Sequence, residues 1–163
     1  KNLERLLEAF SILNSQFSIL NLVLVGAEDY FYKRLKEKVK DMGLGNNVIF
    51  YGAAKREGLT NLYKDAIALV FPSLMEGFGL PAVEAMAQGC LVLVSDIPVF
   101  HEVLGEAAIY FNPYDPVDMA EKMSDVLNNP QKYAKFKTLG PELVEGYSWQ
   151  KMARQTLRVY NVL

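Results

Sequence analysis

The sequence predicts an α/β fold in which a doubly wound parallel sheet carries helices on both faces. Segments with helical spacing of apolar residues alternate with short apolar runs along the chain, which is typical of strand–helix–strand units. Most of these runs end at glycine, proline or serine, as buried parallel strands commonly do. A length of 163 residues suits one packed domain and is too short for two full ones. We therefore expect a single domain over residues 1–163.

Apolar periodicity and stop signals place the elements of the first half. Leu3, Leu6 and Leu7 begin a helical pattern that runs to Asn14. Gly26, Gly43 and Gly52 each follow a periodic or apolar segment and end it. These signals predict helices at 2–14, 30–42 and 58–65, and strands at 20–25, 48–51 and 67–71.

The second half continues the alternation and then becomes helical. Proline stops the strand at 67–71 because it cannot donate to a sheet ladder. The next elements are a helix at 80–88 and strands at 91–95 and 108–111, followed by three closing helices at 116–127, 131–144 and 149–162. Since ligands of open α/β sheets bind outside the carboxyl ends of the strands, Gly26, Gly52, Ser73 and Ser95 mark the edge where we expect the site.

Composition excludes several classes of function. The net charge is −2 and no basic run appears, which argues against nucleic acid as a partner. The one cysteine, Cys90, points to a reducing compartment and is interpreted as a small buried residue. There is no signal-peptide pattern and no apolar run near the roughly 20 residues that span a bilayer. We therefore expect a cytoplasmic protein that needs neither a metal ion nor a cofactor.

The stretch from Phe71 to Gly89 carries the strongest functional signal. Gly77 and Gly79 bracket a phenylalanine in a short loop, and a helix with Pro81 in its first turn follows. The first backbone N–H groups of a helix have no partners within the helix and carry partial positive charge. This loop is therefore a candidate site for a phosphate or for sugar hydroxyls.

Two carboxylates frame the loop. Glu76 precedes it, and Glu84 lies eight positions later on the helix, beside its apolar row. A carboxylate that accepts from vicinal hydroxyls is the usual means of holding a ribose in doubly wound nucleotide folds. The pair therefore suits a nucleotide whose phosphates lie over the loop. Taken singly, each glutamate would by default be interpreted as a solvated surface residue.

The run MEGFGLPAVEAMAQG resembles the donor-site signature of the retaining glycosyltransferases of the two-lobed GT-B fold, the group 1 family. The segments KNLERLLEAF, VIFYG, LYKDAIALVFPS and SDIPVFHEVLGEAAIYFNPYDP resemble other stretches of that family in the same order, and YSWQKMARQTLRVY resembles its closing helix. The resemblance implies that the chain is the C-terminal lobe, which binds the nucleotide-diphosphate sugar. It further implies transfer of a hexose or related sugar with retention of configuration, in glycan or polysaccharide biosynthesis.

The resemblance also implies a role for each site residue. Glu76 is expected to orient the transferred sugar and is the catalytic candidate, whereas Glu84 is expected to hold the ribose. Lys1 and the backbone N–H groups around Gly79 and Leu80 would bind the diphosphate, and Gly77 and Phe78 belong to the same donor-binding loop. Gly52 and Ala53 would border the base. His101 lies where the family usually has a glutamate in this segment, and we interpret it as a structural or surface residue.

In the family a first strand and a glycine-arginine pair precede the lysine. The resemblance therefore implies that this first strand is missing and that an N-terminal lobe of the same polypeptide supplies the acceptor site. We expect any peripheral membrane contact to be made through that lobe. Two alternatives remain open: a non-catalytic module that binds a nucleotide sugar, and a sugar-nucleotide epimerase.

Overall fold

The computed structural model describes residues 1–17 and 19–161, which form alternating helices and strands. The strands are β1 (Leu22–Val25), β2 (Val48–Gly52), β3 (Ala68–Phe71), β4 (Leu91–Ser95) and β5 (Ile109–Phe111). The helices are α1 (Leu3–Asn14), α2 (Tyr30–Asp41), α3 (Arg56–Asp65), α4 (Leu80–Ala87), α5 (Pro98–Leu104), α6 (Pro116–Asn128), α7 (Pro130–Tyr133), α8 (Phe136–Glu145) and α9 (Trp149–Tyr160). A 3₁₀ turn at Gly105–Ala107 joins α5 to β5.

All strand pairs in the described residues are parallel, as predicted, and they form two hydrogen-bonded groups. One group is β1–β2, and the other has the order β3–β4–β5. In the second group Phe71 lies opposite Val94, and Ser95 lies opposite Phe111. Because the strands run the same way, their carboxyl ends meet at one edge of each group.

Helices cover both faces of the β3–β4–β5 group. Leu91 and Leu93 belong to the apolar core beneath α1 and α6, while Val92 and Val94 belong to the core beneath α4 and α5. Every residue of β4 is buried, as expected for a central parallel strand. The first of these cores also includes Leu24 of β1 and Val48 of β2, so both strand groups rest on the same helices. The predicted α/β class with helices on both faces is confirmed.

Two parts of the helix prediction were wrong. The helix α5 was missed, because seven residues between Pro98 and Gly105 give too little periodicity to recognise. The single helix predicted at 131–144 is two helices, α7 and α8, with a turn between them. That turn lets Tyr133 pack in the first core. On α8, an added Cβ at Gly140 would lie 3.2 Å from the side chain of Met86 on α4, so the absence of a side chain there permits close packing.

The remaining differences concern the ends of elements. The strands predicted from residues 20, 67 and 108 begin later, at Leu22, Ala68 and Ile109, while β2 extends to Gly52. The last predicted helix reaches Tyr160, and the predicted end at residue 162 lies outside the described residues. Asp29, Asp115 and Ser148 accept hydrogen bonds from backbone N–H groups and fix the starts of α2, α6 and α9.

Candidate functional site

The candidate site lies at the carboxyl edge of the strands, where sequence analysis placed it. Gly52 ends β2 with φ +78°, and its carbonyl accepts from the N–H of Gly26 at 3.0 Å, which joins the ends of β1 and β2. Ser73 follows β3, and Ser95 ends β4. The loop from Pro72 to Gly79 leads from this edge into α4.

Gly79 shapes the start of α4. Its φ is +86°, a backbone conformation that residues other than glycine rarely adopt. An added Cβ would lie 2.6 Å from Cε1 of Phe100, whose side chain is fully buried on α5. Backbone conformation and close packing therefore both require glycine here. The N–H groups of Gly79 and Leu80 have no acceptor among the described residues, so the N-terminus of α4 is open as predicted.

Lys1 lies against Glu76 at this edge. The Nζ of Lys1 donates to Oε1 of Glu76 at 2.6 Å, and it also lies 5.1 Å from the ring centre of Phe71 at the end of β3. The Lys1 side chain is 62% exposed, whereas that of Glu76 is only 15% exposed. The loop thus holds a mostly buried carboxylate whose partner is an accessible ammonium group.

The surroundings of Glu76 favour its charged form. Burial alone would raise the pKa of the carboxyl, but the hydrogen bond from Lys1 and the neighbouring Ser73 hydroxyl lower it below its ordinary value. The Ser73 hydroxyl is buried and forms no hydrogen bond within the described residues. Because the contact with Lys1 outweighs the effect of burial, Glu76 is a charged acceptor at neutral pH.

Glu84 is exposed on α4, on the face that does not enter the core. It lies near the hydroxyl of Tyr63, a buried residue of α3. The pKa of Tyr63 is raised to about 12, first by burial and then by the charge of Glu84. The tyrosine is therefore protonated at neutral pH and can act as a hydrogen-bond donor toward this carboxylate.

The other predicted residues lie along the same edge but in different surroundings. Gly77 is exposed, and the Phe78 ring packs edge-on against Tyr147, with 5.3 Å between ring centres. Leu80 is 47% exposed at the start of α4, although it is a large apolar residue. Ala53 is exposed just after β2. The structure thus brings Lys1 into direct contact with Glu76. The other predicted residues share with them only the same edge of the sheet.

Sequence analysis missed two residues near the site. Tyr63 gave no signal, because an aromatic residue at helical spacing is usually a core residue. Asn2 was interpreted only as part of a helix start, but it adopts a left-handed conformation with φ +60° and ψ +27°. Asparagine tolerates this conformation better than most residues, and that tolerance was the available signal.

His101 and Cys90 do not join the site. His101 is exposed and its ring stacks on Tyr110. Its Nε2 lies 2.6 Å from Oδ1 of Asp96. Cys90 is buried, and burial raises the pKa of its thiol, which fits a small core residue. Within residues 1–17 and 19–161, no group of three or more His, Cys, Asp or Glu residues could hold a metal ion.

Two surface hollows lie away from this edge. One, of about 440 Å³, is between α2 and β2, and the other, of about 410 Å³, is between α1 and α6. Neither is lined by a residue predicted to bind the donor. Those residues lie instead along an exposed edge, where Lys1, Gly77, Leu80 and Glu84 are accessible.

Comparison with known families identifies the chain. The profile described as "Glycosyl transferases group 1" matches residues 1–142, which include all the predicted site residues. The chain belongs to the glycosyl transferases group 1 family. A curated relative in this family is the O-antigen chain mannosyltransferase RfbU of Salmonella typhimurium, 40% identical over 116 residues. That match covers 71% of this chain but 33% of the relative, so the chain spans about a third of the relative's length.

Three solved structures have the same fold. Sucrose-phosphate synthase from Thermosynechococcus elongatus matches 99% of this chain and 42% of its own, with a TM-score of 0.87 and 29% identity. The C-terminal domain of a group 1 glycosyl transferase, LpcC from Francisella tularensis, matches 90% of this chain and 78% of its own, with a TM-score of 0.78 and 27% identity. Anabaena Alr3699/HepE in complex with UDP-glucose matches 98% of this chain and 44% of its own, with a TM-score of 0.85 and 20% identity.

Over the ranges that the structure describes, no helix of this group 1 chain combines the length and the apolar character needed to cross a bilayer.

Proposed function

We propose that this chain is the donor-binding half of a retaining glycosyltransferase. It would bind a nucleotide-diphosphate sugar, from which a hexose or related sugar passes to an acceptor in glycan or polysaccharide biosynthesis. Membership of the group 1 family supports this proposal, as does similarity to a protein named as an O-antigen chain mannosyltransferase. Similarity in fold to a protein solved with UDP-glucose supports a nucleotide sugar as the ligand.

The observation that carries the proposal is the contact between Lys1 and Glu76 beside the open start of α4. An ammonium group, the unpaired N–H groups of Gly79 and Leu80, and a helix N-terminus are all suited to negative charge. A carboxylate at the same place suits neutral hydroxyls. The edge therefore offers adjacent sites for a diphosphate and for the sugar attached to it.

Transfer breaks the bond between the anomeric carbon and the diphosphate oxygen, and it forms a bond from that carbon to an acceptor oxygen on the same face. The acceptor hydroxyl loses its proton in this step, and the departing diphosphate can accept it. The leaving diphosphate gains negative charge as the bond breaks. Lys1 and the N–H groups at the start of α4 would stabilise that charge without rearrangement. Glu76 would hold the sugar by its hydroxyls, so that the anomeric carbon stays in a reactive position.

The nucleoside would lie further along the edge. Glu84 would accept hydrogen bonds from the ribose hydroxyls, in the manner known for doubly wound nucleotide folds. Tyr63 would restrict the orientation of Glu84 from below. Gly52 at the end of β2 and the exposed Ala53 after it would border the base, where the absence of large side chains leaves space.

A second lobe is part of the proposal. RfbU and sucrose-phosphate synthase are two to three times longer than their matched regions, and an N-terminal lobe of the same polypeptide would supply the acceptor site. A closed site between two lobes excludes water and aligns donor with acceptor. The donor-binding lobe alone would therefore bind the nucleotide weakly and would not transfer sugar. We place the protein in the cytoplasm, with any peripheral membrane contact made through the N-terminal lobe.

A panel of UDP, GDP, ADP and their sugars, tested by thermal shift and calorimetry, examines this proposal. Ligand at a hundredfold excess over its Kd stabilises a protein by about 2.7 kcal/mol. For a domain of this size that corresponds to a rise in melting temperature of roughly 5–10 °C. We expect one nucleoside diphosphate, and its sugar, to be selected. Binding of none of them at millimolar concentration would contradict the proposal.

An assay of the protein with both lobes distinguishes an enzyme from a non-catalytic binding module. Incubated with the selected nucleotide sugar and an acceptor glycan, it should form a new glycosidic bond with the anomeric configuration of the donor. Binding without transfer by the two-lobed protein would favour a non-catalytic module. Release of an epimerised nucleotide sugar would favour an epimerase.

A further inference from the structure

Asn2 has an unusual backbone conformation immediately beside the candidate site. It is the one non-glycine residue with positive φ in the part of the chain that the structure describes, at φ +60° and ψ +27°. A non-glycine residue in this region is disfavoured by contact between its Cβ and the backbone. Such strain persists only where surrounding contacts impose it.

Two hydrogen bonds hold the Asn2 side chain. Its Nδ2 donates to the carbonyl of Pro113 at 2.7 Å, and its Oδ1 accepts from Nη1 of Arg5 at 3.0 Å. Pro113 lies in the turn between β5 and α6, whereas Arg5 is on the first turn of α1. The amide therefore links the start of α1 to a distant part of the chain, and both of its polar ends are occupied.

The direction of Lys1 depends on this residue. Asn2 is the N-cap of α1, and its left-handed conformation turns the chain away from the helix path. The next residue toward the N-terminus is Lys1, whose Nζ reaches Glu76 at 2.6 Å. A change from left-handed to right-handed dihedrals at Asn2 would move the Lys1 Cα by an amount on the order of the 3.8 Å between neighbouring Cα atoms. The contact with Glu76 would then be lost.

We propose that Asn2 is a positioning residue, whose left-handed backbone, held by Pro113 and Arg5, directs the Lys1 ammonium to Glu76 and to the diphosphate of the donor. The part that concerns the diphosphate rests on the proposed function, whereas the part that concerns Glu76 does not. Asn2 would make no contact with the reacting atoms. Its effect on binding would pass through Lys1.

A double-mutant cycle tests this coupling. The variants are Asn2→Ala, Asn2→Gly, Lys1→Met and the double variant Asn2→Ala/Lys1→Met, titrated with UDP, GDP and ADP. Alanine disfavours positive φ, so Asn2→Ala should weaken binding of the selected nucleotide by about five- to tenfold. Glycine adopts positive φ freely, so Asn2→Gly should stay within about threefold of the original chain. In the Lys1→Met background, Asn2→Ala should change affinity by less than about twofold.

A second readout needs no ligand. The carboxyl pKa of Glu76, followed by carbon NMR on labelled protein, should rise in Lys1→Met and rise similarly in Asn2→Ala, because both remove the ammonium from the carboxylate. Asn2→Gly should keep it near the original value. If Asn2→Ala does not fold, Asn2→Ser replaces it. Serine also disfavours positive φ and adds no charge, so the Glu76 pKa should again rise.

The outcomes distinguish a failure of the positioning role of Asn2 from a failure of the proposed function. An unchanged Glu76 pKa in Asn2→Ala would overturn the positioning role, whether or not a nucleotide binds. An equal loss of affinity with and without Lys1 would also overturn it, because Asn2 would then act on the lobe as a whole. If no nucleotide binds but the pKa shifts as expected, the role toward Glu76 stands and the proposed function fails.

Discussion

Lys1 and Glu76 are 75 positions apart in the chain and 2.6 Å apart in the structure. Because the hydrogen bond favours the charged carboxylate, Lys1→Met should raise the pKa of Glu76. Carbon NMR of the glutamate side chains between pH 2 and 8 measures this directly. Arg34→Met is a suitable control, because Arg34 of α2 pairs with Glu4 of α1 in an exposed contact that does not involve Glu76. If Lys1→Met leaves the pKa of Glu76 unchanged, that result would contradict the contact between Lys1 and Glu76.

The same pair predicts a dependence of stability on pH. The pKa of Glu76 is lower in the folded chain than its ordinary value of 4.5, so its contribution to the free energy of unfolding is complete above that pH. This contribution is lost as the pH falls through the lower pKa that Glu76 has in the folded chain. Lys1 is 62% exposed, so solvent screening should keep the contribution below about 1 kcal/mol. Urea unfolding at pH 7 and pH 3 should show a smaller difference for Lys1→Met than for the original chain.

Glu76→Ala should discriminate between two ligands. If Glu76 binds the sugar hydroxyls, the variant should bind a nucleotide sugar more weakly while keeping affinity for the bare nucleoside diphosphate. A hydrogen bond to a charged group contributes about 1.5–3 kcal/mol, which predicts at least a tenfold loss for the sugar nucleotide. Calorimetry with both ligands measures the difference. Equal losses for the two ligands would refute this assignment.

Glu84→Gln should weaken the binding of both the nucleotide sugar and the nucleoside diphosphate, because each of them contains the ribose. Glutamine keeps the shape but removes the charge, so affinity for the nucleoside diphosphate should fall by about tenfold. Stability should hardly change, since Glu84 is exposed. Glu121→Gln, an exposed position on α6, provides the matched control and should bind normally. If the two variants bind alike, Glu84 is only a solvated helix residue.

Gly79→Ala and Gly77→Ala form a pair that tests the loop. Alanine at Gly79 would meet both a positive φ and the buried ring of Phe100 at 2.6 Å. A loss of at least about 2 kcal/mol is expected, or roughly 4–8 °C in melting temperature. At Gly77 an added Cβ has no neighbour within 4 Å, so that variant should melt within about 2 °C of the original chain. Similar melting of the two variants would mean that the loop is not constrained at Gly79.

Much of the fold was readable from the sequence because local signals agreed with the packing. The apolar run of β4 is buried on both faces, and Gly26 and Gly52 end strands where they were expected to. The start of α5 was not readable, since seven residues cannot establish a helical period. The turn between α7 and α8 depends on contacts of Tyr133 and Gly140 with distant residues, which local pattern does not contain.

The site was partly readable for a similar reason. Gly79 and the two glutamates lie within one short stretch, so spacing alone placed them together. The contact between Lys1 and Glu76 joins the two ends of a long segment and depends on the left-handed turn at Asn2. Tyr63 reaches Glu84 only because α3 packs beside α4. Contacts of this kind are set by tertiary structure, and no single stretch of sequence contains them.

The most direct test of a donor site at this edge is amide NMR mapping with the nucleoside diphosphate that the panel selects. We predict that the largest shifts on titration fall on Gly77, Phe78, Gly79 and Leu80, with a second group at Gly52 and Ala53, and that Lys1→Met reduces them at equal ligand concentration. Shifts centred instead on the hollow between α2 and β2, or on the hollow between α1 and α6, would contradict a donor site at the start of α4.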